Sequence, residues 1–246
     1  MSVLVEACVD SVLSAVAAER GGARRLEVCA SLADGGTTPS AGMLSAVKAA
    51  TRLPVVFIVR PRGGAFVYSD VEIGVMRLDI EAATMLGADG VAVGALTSDG
   101  RVDARQVHAL VAAAGDIPVT FHRAFDAVRD REQALETLIK LGVKRVLTSG
   151  GASTALEGAS GIAALVKRAA GQIEIMAGGG IREEHVQELV HRTGVREVHV
   201  RGAQLARAGA ASNERVRLRK PLPDDETAWE ETDESRIREF VRLANG

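Results

Sequence analysis

The chain of 246 residues has only two cysteines, Cys8 and Cys29. Two thiols cannot build a disulfide framework, and their scarcity fits a reducing compartment. Aromatic residues make up 3% of the chain, so its core must be aliphatic. Charge of one sign is not in excess: the net charge is −2, with acids and bases well mixed. That argues against nucleic acid or an anionic membrane surface as the main partner. No apolar run approaches the roughly 20 residues of a membrane span. The segment Met1–Glu6 has neither the basic start nor the apolar stretch of a signal peptide. A cytoplasmic protein is expected.

What the chain does have is rhythm. Short β-rich runs at Val3–Ala7, Arg25–Val28, Val55–Val59, Gly90–Val93, Val119–Phe121, Arg145–Thr148, Ile173–Ala177 and Glu197–Val200 alternate with amphipathic or Ala-rich stretches. The stretches predict helices over Ser11–Arg20, Ala41–Thr51, Asp70–Leu86, Asp103–Ala114, Asp130–Leu141, Gly158–Ala170, Glu183–Arg192 and Asp233–Ala244. The runs are apolar along most of their length, as strands of a parallel sheet covered on both faces are. Eight β/α units in this length predict a closed α/β barrel, the (β/α)8 or TIM-barrel fold, as a single domain over 1–246. A glycine precedes every second strand, at Gly22, Gly87, Gly142 and Gly194. Each stands where a helix ends in a left-handed residue. One segment breaks the pattern. The polar insertion 208–233 holds the basic run Arg215–Lys220, where Val216 and Leu218 alternate. It is expected to be a solvated loop or interface arm, with a short extra strand as the other reading.

In such barrels chemistry sits at the C-terminal ends of the strands. Those ends are polar in seven of the eight units, and only Gly94-Ala95 is bland. Glu6 with Cys8, and Glu27 with Cys29, are two apart on adjacent strands, so each pair shares a face. The two thiols are therefore candidate neighbours and would suit a soft ion such as Cu(I). The plain alternative is two buried core cysteines. Glu6, Glu27 and His122 are candidates for proton transfer, with Arg60, Arg62 and Arg123 as carboxylate partners that would tune them. A structural ion-pair lattice and a hydrogen-bonded core histidine are the competing readings. Gly178, Gly179 and Gly180 precede a helix and could cradle an anion, with Ser149 adding a donor and Arg201 a cation. Tight-turn geometry would explain the glycines equally. Tyr68-Ser69-Asp70 ends a lengthened third loop that could cover the barrel mouth.

Several motifs in order resemble the CutC family: Glu6-Ala7-Cys8-Val9-Asp10-Ser11, Glu27-Val28-Cys29, Gly35-Gly36-Thr37-Thr38-Pro39-Ser40, Arg60-Pro61-Arg62-Gly63-Gly64, Tyr68-Ser69-Asp70, Thr120-Phe121-His122-Arg123-Ala124-Phe125-Asp126 and Leu147-Thr148-Ser149-Gly150. The likeness runs from Glu6 to about His199. It implies a cytoplasmic TIM barrel of copper homeostasis, Cu(I) held at Cys8 and Cys29, and a homodimer or higher homo-oligomer. Val200-Arg201-Gly202-Ala203 departs from the small residues the family has after the last-strand histidine, and adds a cation there. Two functions are therefore carried forward. The first, favoured by the resemblance, is a Cu(I)-binding homeostasis protein. The second, favoured by the residues themselves, is an enzyme on a small anionic metabolite, phosphorylated ones included. Linear Cu(I) coordination would need the two sulfurs within roughly 4.6 Å, twice a metal–sulfur bond.

Overall fold

In the computed structural model, which describes residues 2–207 and 227–246, eight parallel strands close on themselves in chain order. They are β1 (Leu4–Val9), β2 (Arg25–Val28), β3 (Val55–Ile58), β4 (Gly90–Val93), β5 (Val119–Phe121), β6 (Arg145–Thr148), β7 (Glu174–Gly178) and β8 (Glu197–Val200). Closure comes from β1 pairing with both β2 and β8. Glu6 stands opposite Arg25 on one side and opposite His199 on the other. The helices α1 (Val12–Arg20), α2 (Ala41–Ala50), α3 (Asp70–Met85), α4 (Ala104–Ala114), α5 (Arg131–Lys140), α6 (Ala159–Ala169), α7 (Glu183–Thr193) and α8 (Glu234–Ala244) fill the same sequence order. The fold is a (β/α)8 barrel, as the alternation predicts. The main core lies between strands and helices and is built of Val, Leu, Ile and Ala with a few phenylalanines.

Local chemistry sets the element ends. Ser11, Ser40, Asp103, Asp130 and Asp233 each accept a hydrogen bond from a backbone amide of the first turn of α1, α2, α4, α5 and α8. Ser69 and Glu72 form a reciprocal capping box at α3. Gly22, Gly87, Gly142 and Gly194 all have positive φ, between 71° and 93°, which a side chain would oppose.

Two expectations shift. β1 runs to Val9, so Cys8 lies within the strand and not beyond it. The insertion 208–233 is not loop to its end. Ala228–Thr232 forms β10, antiparallel to β9 (Ala203–Arg207), and the Thr232 amide donates to Ser14 Oγ at 3.1 Å, fixing the ribbon to α1. The alternation Ala228-Trp229-Glu230 is too polar to stand out as a strand; its pairing with β9 makes it one. The Arg215–Lys220 run lies outside the described residues.

Candidate functional site

Side chains at alternate positions of a barrel strand enter the interior. This brings Glu6 and Cys8 of β1 beside Arg25 and Glu27 of β2, Cys29 just after it, Arg145 of β6, and Glu197 and His199 of β8. The lower layer is an ion network. Arg25 pairs with Glu6 and also reaches Glu197 at 2.5 Å. Arg145 pairs with the same Glu197, with one nitrogen 3.0 Å from its Oε1, and donates to Thr120 Oγ1 at 3.2 Å. The expected carboxylate partners, Arg60, Arg62 and Arg123, are not the ones used. Arg25 and Arg145 stand at the starts of their strands, where Arg25 reaches Glu6 and Arg145 reaches Glu197.

Above this layer sits a mixed cluster. His199 Nδ1 is 2.8 Å from Glu6 Oε1, and its Nε2 is 3.7 Å from Glu27 Oε2. The Cys29 thiol donates to Glu27 Oε2 at 3.4 Å and touches the Cys8 sulfur at 3.5 Å. Burial would raise the Glu6 carboxyl, but Arg25 and His199 hold it down to about 2. Burial, helped by the negative Cys8 and Glu6, outweighs the nearby His199 and lifts Glu27 to about 8. The hydrogen bond with Cys29, with His199 beside it, brings Cys8 down to about 5. Burial opposes the charge on His199, yet Glu27, Cys8 and Glu6 hold it well above the ordinary imidazole range. The cluster thus biases the Cys8 thiol, the Glu6 carboxyl and the His199 imidazole toward their charged forms and the Glu27 carboxyl toward its neutral one.

The sequence places no duty on His199 or Arg25, although both are central. The usable signal was register: in a closed barrel β8 is the neighbour of β1, which sets His199 against Glu6. His122 differs from its expected part. It is buried, and burial together with the Arg60 charge lowers it to about 3, so it is a neutral imidazole. Its Nδ1 accepts from the Ala124 amide at 3.1 Å, and its Nε2 has no partner. Gly94, the bland strand end, is glycine because a side chain there would strike the His122 ring at 2.4 Å.

A cavity of about 90 Å³ opens over the cluster, bordered by Cys8, Glu27, Cys29, Arg60, Phe66, His122, Arg123 and His199. Phe66 places the third loop at the edge of this cavity. Arg60 is 5% exposed. It donates to the carbonyls of Asp34, Gly36 and Gly64 and lies 5.0 Å over the Phe66 ring. Its Nε is unpartnered, and no carboxylate pairs with it among the described residues. Arg123 is held by Asp126 at 2.8 Å and donates to Ser149 Oγ at 3.0 Å. Asp126, absent from the candidates, also accepts from Thr148 Oγ1 at 2.5 Å and from the Ser149 and Gly151 amides. Its spacing of three from Arg123 was the clue.

The other expected anion contacts lie apart from the cavity. Arg62 ties down its own loop through Glu72 at 2.6 Å and the carbonyls of Ala65 and Val67. Arg201 pairs with Glu230 of β10. Gly178 leaves room for Leu147, and Gly179 for the Arg123 guanidinium, either of which a Cβ would strike.

The two-cysteine Cu(I) site does not survive this geometry. The sulfurs lie 3.5 Å apart, inside the spacing that linear coordination allows, so the donor set and not the distance decides. The bond to Cys8 and burial push the Cys29 thiol well above its ordinary range, so it stays protonated. The donor atoms that do converge, within 4.8 Å of one another, are one each from Cys8, Glu27 and His199. That potential metal-coordinating group has one sulfur, one oxygen and one nitrogen, not the soft pair that Cu(I) favours.

A (β/α)8 barrel with two thiols, an imidazole and two carboxyl groups at its mouth defines the class. The CutC family profile matches residues 3–204, and the chain belongs to that family. It is 47% identical over 242 residues to a protein of Homo sapiens described as a copper homeostasis protein cutC homolog, covering 98% of this chain and 89% of the relative. A CutC protein of known structure from Streptococcus agalactiae shares 35% identity at a TM-score of 0.77, over 80% of this chain and 97% of its own. Phosphoribosylanthranilate isomerase of Pyrococcus furiosus, 15% identical with a TM-score of 0.57 over 98% of both chains, shares the fold. Among the described residues no helix is long and apolar enough to cross a membrane.

Proposed function

We propose that this protein is an enzyme that acts on a small anionic metabolite by general acid–base chemistry. One observation carries the reading. Inside the barrel the anions Glu6, Glu197 and Cys8 are matched by the cations Arg25, Arg145 and His199. Arg60 is left over, a buried guanidinium at the cavity without a carboxylate partner. A buried charge without a counter-ion is costly, and an anionic ligand would relieve it. Arg123 stands on the same rim and extends the cationic side of the site. Glu27, near 8, can give or take a proton close to neutral pH. Glu6, held near 2, keeps its charge and orients His199. His122 contributes a hydrogen-bond donor and no proton transfer.

The test is thermal stabilisation by inorganic phosphate and by small phosphorylated or carboxylated metabolites. A ligand at 100 times its Kd should add about 2.7 kcal/mol of stability, and the gain should vanish in Arg60→Gln. Stabilisation by no anion would sink the reading. The second reading is a metal ion at Cys8, Glu27 and His199, whose mixed donors suit a borderline divalent ion. Titration against a competing chelator separates the two, since metal binding needs His199 and not Arg60.

Self-association is part of the proposal. The outer face of α3 carries Val71, Val75, Leu78 and Met85, all exposed, opposite the buried face of Ile73, Met76, Ile80 and Ala83. Spacings of four, three and seven make one stripe. Arg77 and Glu81 flank it on one side. In an antiparallel pair of α3 helices, Arg77 of each copy would meet Glu81 of the other, so the occupant proposed is a second copy. Leu78→Glu should turn a dimer into a monomer by light scattering; a monomeric wild-type protein would exclude the interface.

A further inference from the structure

We propose that Cys8 is a nucleophile, and that its substrates are small anionic carbonyl compounds whose carbonyl carbon it attacks. The proposal rests on the acid–base reading for its anion site and adds a covalent step to it. The geometry is that of an activated thiol. Glu6 Oε1 meets His199 Nδ1 at 2.8 Å, which leaves the other ring nitrogen to face Glu27 and Cys8. The His199, Cys8 and Glu27 donor atoms lie within 4.8 Å of one another. A nucleophile beside a base, with the base oriented by a third group, is the arrangement that activates a thiol. Glu6 is a positioning residue here; Cys8 alone would touch the reacting carbon.

The surroundings define what it attacks. Cys8 borders the cavity, as do Glu27 and His122. Glu27 Oε2 lies 3.8 Å from the Cys8 sulfur, and Glu27 Oε1 has no hydrogen-bond partner. His122 Nδ1 accepts a hydrogen bond, so Nε2 bears the ring proton, and that N–H is unpartnered. A nucleophile that shares its cavity with an unpartnered N–H suits a carbonyl, whose oxygen gains charge as the carbon is attacked. In the step a sulfur electron pair forms the C–S bond. The π pair of the C=O bond moves onto oxygen, and that oxygen takes the proton the Cys8 thiol gives up, handed on through His199. The product is a thiohemiacetal or thiohemiketal, with no oxidant or reductant. The cavity of about 90 Å³ is worth about three waters at roughly 30 Å³ each. Only a short reactive end enters, and the anionic group sits against Arg60.

The experiment uses the whole protein, dialysed against a chelator so that no bound ion masks the thiol. Cys8 modification is read by mass spectrometry of its peptide. Iodoacetate should alkylate Cys8 at least about tenfold faster than iodoacetamide, because the guanidinium attracts the anionic reagent. Arg60→Gln should erase that preference, read as the ratio of the two rates within the same variant. In the wild-type protein, glyoxylate, an anionic aldehyde, should protect Cys8 from iodoacetamide. Glycolate, with the same charge and no carbonyl, should protect at least about tenfold less well. The glyoxylate arm needs no variant, so misfolding of Arg60→Gln would not decide the matter. Cys8 inert to both reagents would overturn the nucleophile even if phosphate still stabilises the protein. Equal protection by glyoxylate and glycolate would overturn the carbonyl and leave the acid–base reading standing. Reaction of Cys8 without preference for iodoacetate, together with no stabilisation by any anion, would remove both.

Discussion

Arg25→Met is expected to cost the fold about 3–5 kcal/mol, read as a lower urea midpoint with an unchanged slope. Arg25 is buried and is the shared counter-ion of Glu6 and Glu197. Methionine fills much of the same space but leaves two buried carboxylates with less compensation. Removing one partner of a buried network is far more damaging than never having built it. The pH dependence follows with a definite sign. Glu6 is lowered from 4.5 in the unfolded chain to about 2 in the fold. Its contribution is therefore complete above about pH 4.5 and is lost as the pH falls toward 2. The shift corresponds to a stabilisation on the order of 3 kcal/mol. Arg25→Met should flatten this acid limb as well as lower the plateau. A variant as stable as the wild type, with the same acid limb, would show that the network does not hold the barrel floor.

The reaction of Cys8 with iodoacetamide is expected to rise through an inflection near pH 5 and then level off. The sign is set by the thiolate, which is the reactive form. An ordinary thiol titrates near 8.5 and is only about 0.3% ionised at pH 6. The gain in rate is smaller than the gain in thiolate, because nucleophilicity falls with pKa. With a Brønsted slope of about 0.4–0.5, net acceleration at pH 6 is roughly tenfold. Two variants separate the causes. Cys29→Ala removes the hydrogen bond that contributes most to lowering Cys8, and His199→Gln removes the neighbouring cation. Each should move the inflection up by a unit or more, while overall stability in Cys29→Ala changes only by its lost volume. Shape is the readout, since burial slows all rates alike. A wild-type inflection at 8 to 9 would mean that Cys8 is an ordinary buried thiol.

Much of the fold was legible before any coordinates. The alternation of strand and helix is a local pattern, so β2, β4, β5, β6 and β8 fall where the apolar runs end. The exception is instructive. Ala228–Thr232 has no apolar alternation of its own, and becomes strand only by pairing with Ala203–Arg207. The site was legible in outline, because charged residues at strand ends declare themselves. Their partners were not. By sequence Arg60, Arg62 and Arg123 are the arginines to pair with Glu6 and Glu27, whereas in the barrel Arg25 takes Glu6 and Arg145 takes Glu197.

By itself the sequence determined that eight β/α units would form a barrel whose mouth holds thiols, carboxylates, imidazoles and guanidinium groups. Periodicity and strand-end composition are properties of neighbouring residues, and neighbours suffice for that. Only the tertiary structure decided what those groups are. Closure of β8 onto β1 sets His199 on Glu6, the donor atoms that converge are those of Cys8, Glu27 and His199 and not of two cysteines, and burial pushes the Glu27 carboxyl up and the His122 imidazole down. Protonation and pairing depend on desolvation and on distances across the barrel, which no local pattern encodes.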